Sequence, residues 1–187
     1  MAKVAVFIAD GSEEVEAITP VDLMRRADIE VDVVSIKETL EITASRGVKL
    51  IADKLISEID FDEYDALVLP GGVLGTNNLN ACEELKKNIV KFNDQKKVIA
   101  AICAAPTVFG ELGLLKGKQS TCNPGFWDSL RASGADVVED QKVFVNGNII
   151  TSQAMGTSVD FGLALVEYLN GAEAAESLRK NIRFGAI

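Results

Sequence analysis

Short apolar runs alternate with stretches of helical periodicity along the whole chain. Residues 3–8, 31–36, 65–69 and 98–102 are runs of strand length with few polar interruptions, as expected of strands buried on both faces of a sheet. Between the first two, residues 13–27 place Ile18, Val21 and Met24 at helical spacing, and Pro20 inside that helix is expected to bend it or mark its restart. Asn80 followed by Glu83 predicts a capping box for a helix running to about Asn93. Further on, the pattern predicts a helix over 104–112, a strand near 119–121 and a short helix near 127–132. Strands near Val137 and over 149–151, a long helix over 157–169 and a short C-terminal helix complete the reading. Residues 40–51 and 143–150 read as hairpins, the second turning at Asn146-Gly147. Strand–helix alternation of this kind predicts an α/β fold, flavodoxin-like and doubly wound. Its sheet is mostly parallel with helices on both faces and small β-hairpin insertions. No internal repeat or flexible linker interrupts it, so residues 1–187 are expected to form a single domain.

Composition narrows the chemistry mainly by exclusion. The chain has 187 residues, 48% of them hydrophobic and 25% charged, as in an ordinary globular protein. No secretory leader and no bilayer-length apolar run is evident, so a cytoplasmic location off the membrane is expected. A net charge of −9 argues against nucleic acid, because phosphate contacts need clustered Lys and Arg. There is no histidine at all, which removes the Ser-His-Asp and Cys-His triads and His-based metal sites. The three cysteines lack CxxC spacing, so neither a zinc site nor a disulfide framework is indicated.

In doubly wound sheets, ligands bind beyond the carboxyl ends of the strands, where connections diverge. Three predicted strand ends carry candidate chemistry. Ala101-Ile102-Cys103-Ala104-Ala105 joins an apolar strand directly to a helix, with small residues two before and two after the cysteine, the pattern of a nucleophile elbow. A thiol at a helix start faces the positive end of the helix dipole, which favours thiolate. The alternative is that Cys103 is simply a small buried hydrophobe, and spacing alone leaves both readings open. Gly71-Gly72 follow another strand, and paired glycines let backbone N–H groups approach a ligand or serve merely as a turn. Glu16 follows the first strand within the 10–16 stretch DGSEEVE. It is either a surface carboxylate or, if buried beside Cys103, a protonated acid able to hydrogen-bond sulfur and shuttle a proton.

Four segments together carry a specific resemblance: GSEEVEAITPVDLMRR at 11–26, LPGGVLG at 69–75, IAAICAAP at 99–106 and TSQAMGTSVDFGLALVEYLNG at 151–171. They resemble the ThiJ/PfpI superfamily, most closely its DJ-one/YajL-like branch, in order from about residue 3 to residue 175. The resemblance implies that Cys103 is an oxidisable nucleophile and Glu16 the acid that hydrogen-bonds it. It also implies that Gly72 and Ala104 offer oxyanion-binding N–H groups, with Gly71 beside them. It further implies a homodimer with the site near the interface, to which Arg26 and Arg46 are assigned. Two departures matter. In the PfpI peptidases a histidine directly follows the nucleophile, whereas here Ala104 does. Where branch members often carry a histidine, this chain has Asn123 at or next to the position, preceded by Cys122.

Peptidase and glutamine amidotransferase chemistry both need the missing histidine. Among the activities the resemblance implies, the expected function is a glutathione-independent glyoxalase or deglycase acting on methylglyoxal, free or as adducts with amines and thiols, without metal or organic cofactor. The alternative is a redox sensor or holdase chaperone whose Cys103 is oxidised to the sulfinate. Cys122 is either a plain buried residue or a resolving thiol, and Cys82 is expected to be structural.

Overall fold

The protein is described from a computed structural model over residues 1–185. In chain order its strands are β1 (Lys3–Ile8), β2 (Glu30–Ser35), β3 (Glu41–Thr43), β4 (Lys49–Ile51), β5 (Lys54–Leu55), β6 (Ala66–Leu69), β7 (Val98–Ile102), β8 (Gln119–Ser120), β9 (Asp136–Val137), β10 (Val143–Asn146) and β11 (Ile149–Ser152). The helices are α1 (Glu14–Arg26), α2 (Val73–Ala81), α3 (Glu83–Asp94), α4 (Pro106–Glu111), α5 (Trp127–Ala132), α6 (Ser158–Asn170) and α7 (Ala172–Asn181). Seven strands form one sheet in the order β10-β11-β7-β6-β1-β2-β5, parallel throughout except for the β10–β11 pair.

The continuous apolar runs are explained by two cores. Alternate side chains of a strand point to opposite faces, so a strand covered on both sides is apolar at every position. Val4, Val6 and Ile8 of β1, with Val68 and Ile102, pack under α1, α6 and α7. Ala5 and Phe7, with Leu67, Leu69 and Ile99, pack under α2 through α5 against Leu79, Ile89, Phe92 and Phe109. α1 runs unbroken through Pro20. α6 lies against it at Gly162, where a Cβ would sit 2.6 Å from Leu23 Cδ1 and 3.2 Å from Pro20 Cα.

The doubly wound α/β reading holds, and the structure differs from it locally in four places. Asn80 does not cap a helix: it lies inside α2, its Nδ2 donates to Glu111 at 2.7 Å, and Cys82 occupies the cap of α3 without a side-chain bond. Helix α2 itself was not expected, because its Gly and three Asn are poor helix formers; buried Gly75, Thr76 and Leu79 hold it by tertiary contact. Ile18 is exposed rather than part of the apolar stripe, whereas Val21 and Met24 are buried. The second hairpin is not an insertion but the antiparallel edge of the main sheet, and its two-residue turn is Gly147-Asn148. Among the described residues no helix is long and apolar enough to cross a membrane.

The β3–β4 hairpin leaves the sheet and docks on the turn after β1. Gly11 N–H donates to the Thr43 carbonyl, Thr43 N–H to Asp10 Oδ1 and Ser45 N–H to the Ser12 carbonyl, each at 2.8 Å. Glu14 accepts from the Ser45 hydroxyl at 3.0 Å and from the Arg46 N–H at 3.2 Å. Lys37 and then the Thr43 N–H hold the Asp10 carboxyl below its ordinary range. Partial burial of Glu14 opposes its ionisation, yet the N–H and hydroxyl donors around it leave its pKa lowered too. Carboxylates with depressed folded-state pKa values stabilise above the ordinary carboxylate range and lose that contribution as pH falls through the folded values. Glu14→Ala should therefore speed amide hydrogen exchange at Ser45 and Arg46 by roughly fivefold at neutral pH, the effect of ~1 kcal/mol. In wild type the same acceleration should appear on acidification, after correction for intrinsic exchange.

Candidate active site

Three parallel strands deliver the site from their carboxyl ends. β1 leads into α1 over one face of the sheet, while the neighbouring β6 leads into α2 over the other, so the chain diverges between them. At the end of β7, Cys103 takes a left-handed conformation with φ +65°, unusual for a residue with a side chain. Such a conformation costs on the order of 1–3 kcal/mol and persists only where the surroundings fix it. Here Cys103 N–H donates to the Ser152 carbonyl at 3.0 Å, and its own carbonyl accepts from Asn123 N–H at 2.9 Å. Ala101, Ala104 and Ala105 around it are almost fully buried. The turn is the expected elbow, with alanine in place of glycine on both sides.

Glu16 reaches the same point from α1, whose start is capped by Glu13 accepting from the Glu16 N–H at 2.8 Å. Only 1% of Glu16 is exposed. Its Oε2 accepts from the Gly71 N–H at 2.9 Å, its carboxyl takes a second backbone bond from Met155, and it hydrogen-bonds the Cys103 thiol. Gly71 must be glycine for this to occur, since a Cβ there would stand 2.5 Å from both Cys103 Cβ and Glu16 Oε2. Its N–H is committed to the carboxyl, so Gly71 supports Glu16 instead of offering a donor to a ligand. Gly72, at φ +82°, turns its N–H to the sulfur, as does Ala104.

Burial pushes the Glu16 carboxyl up to about 7, reinforced by the nearby charge of Glu13 and opposed by the hydrogen bonds from Cys103, Gly71 and Met155. The Cys103 thiol also rises, to about 12, first through burial and then through the charge and hydrogen bond of Glu16. This corrects the expectation of a lowered thiol pKa: the N–H groups of Gly72 and Ala104 favour thiolate, but desolvation and the carboxylate outweigh them. The opposition from Glu16 acts only while it is ionised. Once the carboxyl holds a proton, it donates towards sulfur and ceases to repel. The pair thus accommodates one negative charge, and Glu16 carries it at rest above pH 7.

The two groups lie at the floor of a cleft of ≈ 820 Å³. Thr43, Ser45 and Arg46 of the docked hairpin form one side, while Val73, Leu74, Phe126 and Met155 line the rest. Asn123 also lines it, its Oδ1 taken by the Gly125 N–H at 3.0 Å. Arg26 is not there. It is exposed on α1 with Nε on Asp22 at 2.7 Å. Cys122 is fully buried, close enough to feel a charge on Cys103, which with burial raises its pKa to about 12. Yet Cys122 packs into the core under α2–α5, whereas Cys103 packs against the core on the opposite face. Its sulfur donates at 3.5 Å to the Asn123 carbonyl. Sequence reasoning missed Phe126, Leu74 and Met155, which no spacing rule singles out. Ser12 was also missed: buried, it accepts the Ala9 N–H at 3.0 Å and shapes the turn before α1. Among the described residues no group of three or more His, Cys, Asp or Glu is placed to hold a metal ion.

Residues 2–168 match the DJ-1/PfpI family. Protein DJ-1 homolog B of Arabidopsis thaliana is 38% identical over 92% of this chain, which spans only 39% of that protein's length. The glutathione-independent glyoxalase DJ-1 of Schizosaccharomyces pombe is 33% identical over 97% of this chain and 98% of its own. Among solved structures, oxidized DJ-1 of Toxoplasma gondii superposes with a TM-score of 0.93 at 35% identity, covering 99% of this chain and 100% of that one.

Two outcomes follow from the geometry. Glu16 has a folded-state pKa above its ordinary value, so stability is full below about 4.5 and is lost as pH rises through about 7. Glu16→Gln should therefore melt higher than wild type above pH 7, by up to about 3 kcal/mol at 1.36 kcal/mol per pKa unit, with the gap closing near pH 4.5. With Cys122 fully buried and its thiol bonded to the Asn123 carbonyl, peroxide should yield sulfinic Cys103 and no Cys103–Cys122 disulfide in non-reducing peptide maps.

Proposed function

The chain belongs to the DJ-1/PfpI family, and on that footing we propose that it is a glutathione-independent glyoxalase. It would act on 2-oxoaldehydes such as methylglyoxal and on their adducts with amines and thiols, in the cytoplasm. The observation that carries this reading is the Glu16–Cys103 pair: a thiol hydrogen-bonded to a buried carboxyl poised near neutrality, with Gly72 and Ala104 N–H groups turned to the same point. Support also comes from the fission-yeast relative, whose name describes such an enzyme.

The residues supply each step. Ionised Glu16 takes the thiol proton as sulfur adds to the aldehyde carbon, giving a hemithioacetal whose oxyanion is held by the Gly72 and Ala104 N–H groups. Glu16 returns that proton to the oxygen and then takes the hydrogen on the former aldehyde carbon as a proton, leaving an enediolate whose second oxygen takes the proton of the first hydroxyl. Reprotonation at the second carbon gives a 2-hydroxy thioester, and water cleaves the carbon–sulfur bond to release lactate and the thiol. One carbon is oxidised and its neighbour reduced, so no external redox partner is consumed. One carboxyl suffices for all proton movements, which is how the chemistry proceeds without histidine.

The rival reading, a redox sensor, uses the same thiol, but oxidation by peroxide needs thiolate, which burial and Glu16 oppose at Cys103. We also propose a homodimer. Val15, Ile18, Val48 and Ile51, on α1 and the docked hairpin, are 39–76% exposed, an apolar surface suited to a second copy. Arg26 is carried by the same helix and belongs to that surface rather than to the cleft.

Lactate formation from methylglyoxal without glutathione should be abolished in Cys103→Ala and reduced on the order of 10²–10⁴-fold in Glu16→Gln. In wild type kcat/KM should rise with pH through about 7 and then level, as Glu16 ionises. Wild type that makes no lactate but oxidises readily at Cys103 would establish the sensor instead. Light scattering should give twice the chain mass, and Ile51→Asp should shift it towards the monomer.

A further inference from the structure

Methylglyoxal has only a handful of heavy atoms, whereas the cleft above Cys103 measures ≈ 820 Å³, within the range of about 300–1,000 Å³ seen for drug-sized ligands. Its rim is apolar and open. Val73 and Leu74 are each 59% exposed and Met155 53%, and Phe126 lies partly buried among the same lining residues. Large side chains this exposed are not explained by the core, since none of the three contributes buried surface to it. Val73 and Leu74 open α2 after β6, Met155 follows β11, and all three line the cleft. The charged groups that line the same cleft are largely engaged. Asp10 is paired with Lys37 at 2.8 Å, Glu13 caps α1, and Arg46 belongs to the hairpin side.

From this arrangement, and resting on the glyoxalase reading above, we propose that the substrates are 2-oxoaldehydes bearing a bulky apolar substituent, aryl or branched alkyl, seated on Leu74, Phe126 and Met155. The reacting carbons occupy the floor between Cys103 and Glu16. The substituent on the ketone carbon extends outwards, because Glu16 at the floor is only 1% exposed while the rim side chains Leu74 and Met155 are 59% and 53% exposed. Atom balance is that of the smaller substrate: an aryl glyoxal and one water become an aryl 2-hydroxy acid. A rim of this kind discriminates by removal of apolar surface from water, and single contacts in such pockets are worth roughly tenfold or more.

Two paired probes test the assignment. The first is the ratio of initial kcat/KM for phenylglyoxal over methylglyoxal, in wild type, Leu74→Ser and Met155→Ser. These side chains are exposed, so their loss leaves both cores intact. The ratio should fall by roughly tenfold in each variant, and intrinsic reactivity cancels because the same two compounds are compared. The second uses the α-bromoketones phenacyl bromide and bromoacetone, whose carbon is attacked by Cys103 sulfur with loss of bromide. The ratio of alkylation rates, followed by intact mass, should fall likewise. Unchanged ratios in both variants would overturn the apolar-substituent assignment while leaving glyoxalase activity standing. If wild type turns over neither glyoxal, the glyoxalase reading fails, and the alkylation ratios still decide whether the rim recognises apolar groups.

Discussion

Two acidic groups held against one another out of water, with room for one negative charge, set the terms for the rest of this molecule. Bringing a thiol and a carboxyl together is easy; keeping solvent from separating them requires that everything within a side chain's length be small and fixed. Gly71 lacks a Cβ because Cys103 and Glu16 already occupy the place of one, and Gly72 bends through a conformation other residues avoid. Cys103 is itself held left-handed by bonds to two strands' ends, and alanines fill the space around it. The raised pKa of both partners is the electrostatic expression of that crowding.

The sheet is what makes such crowding repeatable. Parallel strands end on one edge, so three loops converge there without any long excursion, and each is tied to its neighbours by backbone bonds rather than by side chains that can swing. The hairpin extends this logic by adding a wall that the sheet does not supply, bonded to the turn that carries Glu13 and Glu16. Movement of that wall and of the acid is consequently coupled through one short segment of chain.

Much of this was legible in the residue pattern. Runs buried on both faces announced the parallel sheet, and alanines around Cys103 at the end of one run announced the elbow. Glu16 was legible as one of two readings, set apart from Glu13 and Glu14 by Ile18, Pro20 and Val21 beyond it, of which Ile18 proves exposed, and the family resemblance sharpened it. What could not be read depends on contacts between distant segments. Helix α2 forms against local propensity because Gly75 fits beneath the turn at Ser12. The thiol pKa is set by desolvation, which no spacing reports. The rim residues Leu74 and Met155 come to line one cleft only after the start of α2 and the segment after β11 have been brought to the same end of the sheet. Asn80 misled for the opposite reason, since a local capping signal was overridden by a helix already running through it.

The sheet also divides the cysteines. Cys103 lies towards one face, while Cys82 and Cys122 pack on the other. A sulfenic acid at Cys103 would meet a Cys122 thiol that is fully buried and bonded to the Asn123 carbonyl, and two other fates would be open to it: rescue by a small external thiol that enters through the cleft, or further oxidation to a state that ordinary thiols do not reverse. Under further oxidation each molecule would carry a record of its oxidant exposure that it could not erase unaided. In a population of such molecules, the fraction still reduced would read out the balance between oxidant supply, thiol supply and the rate at which new chains are made.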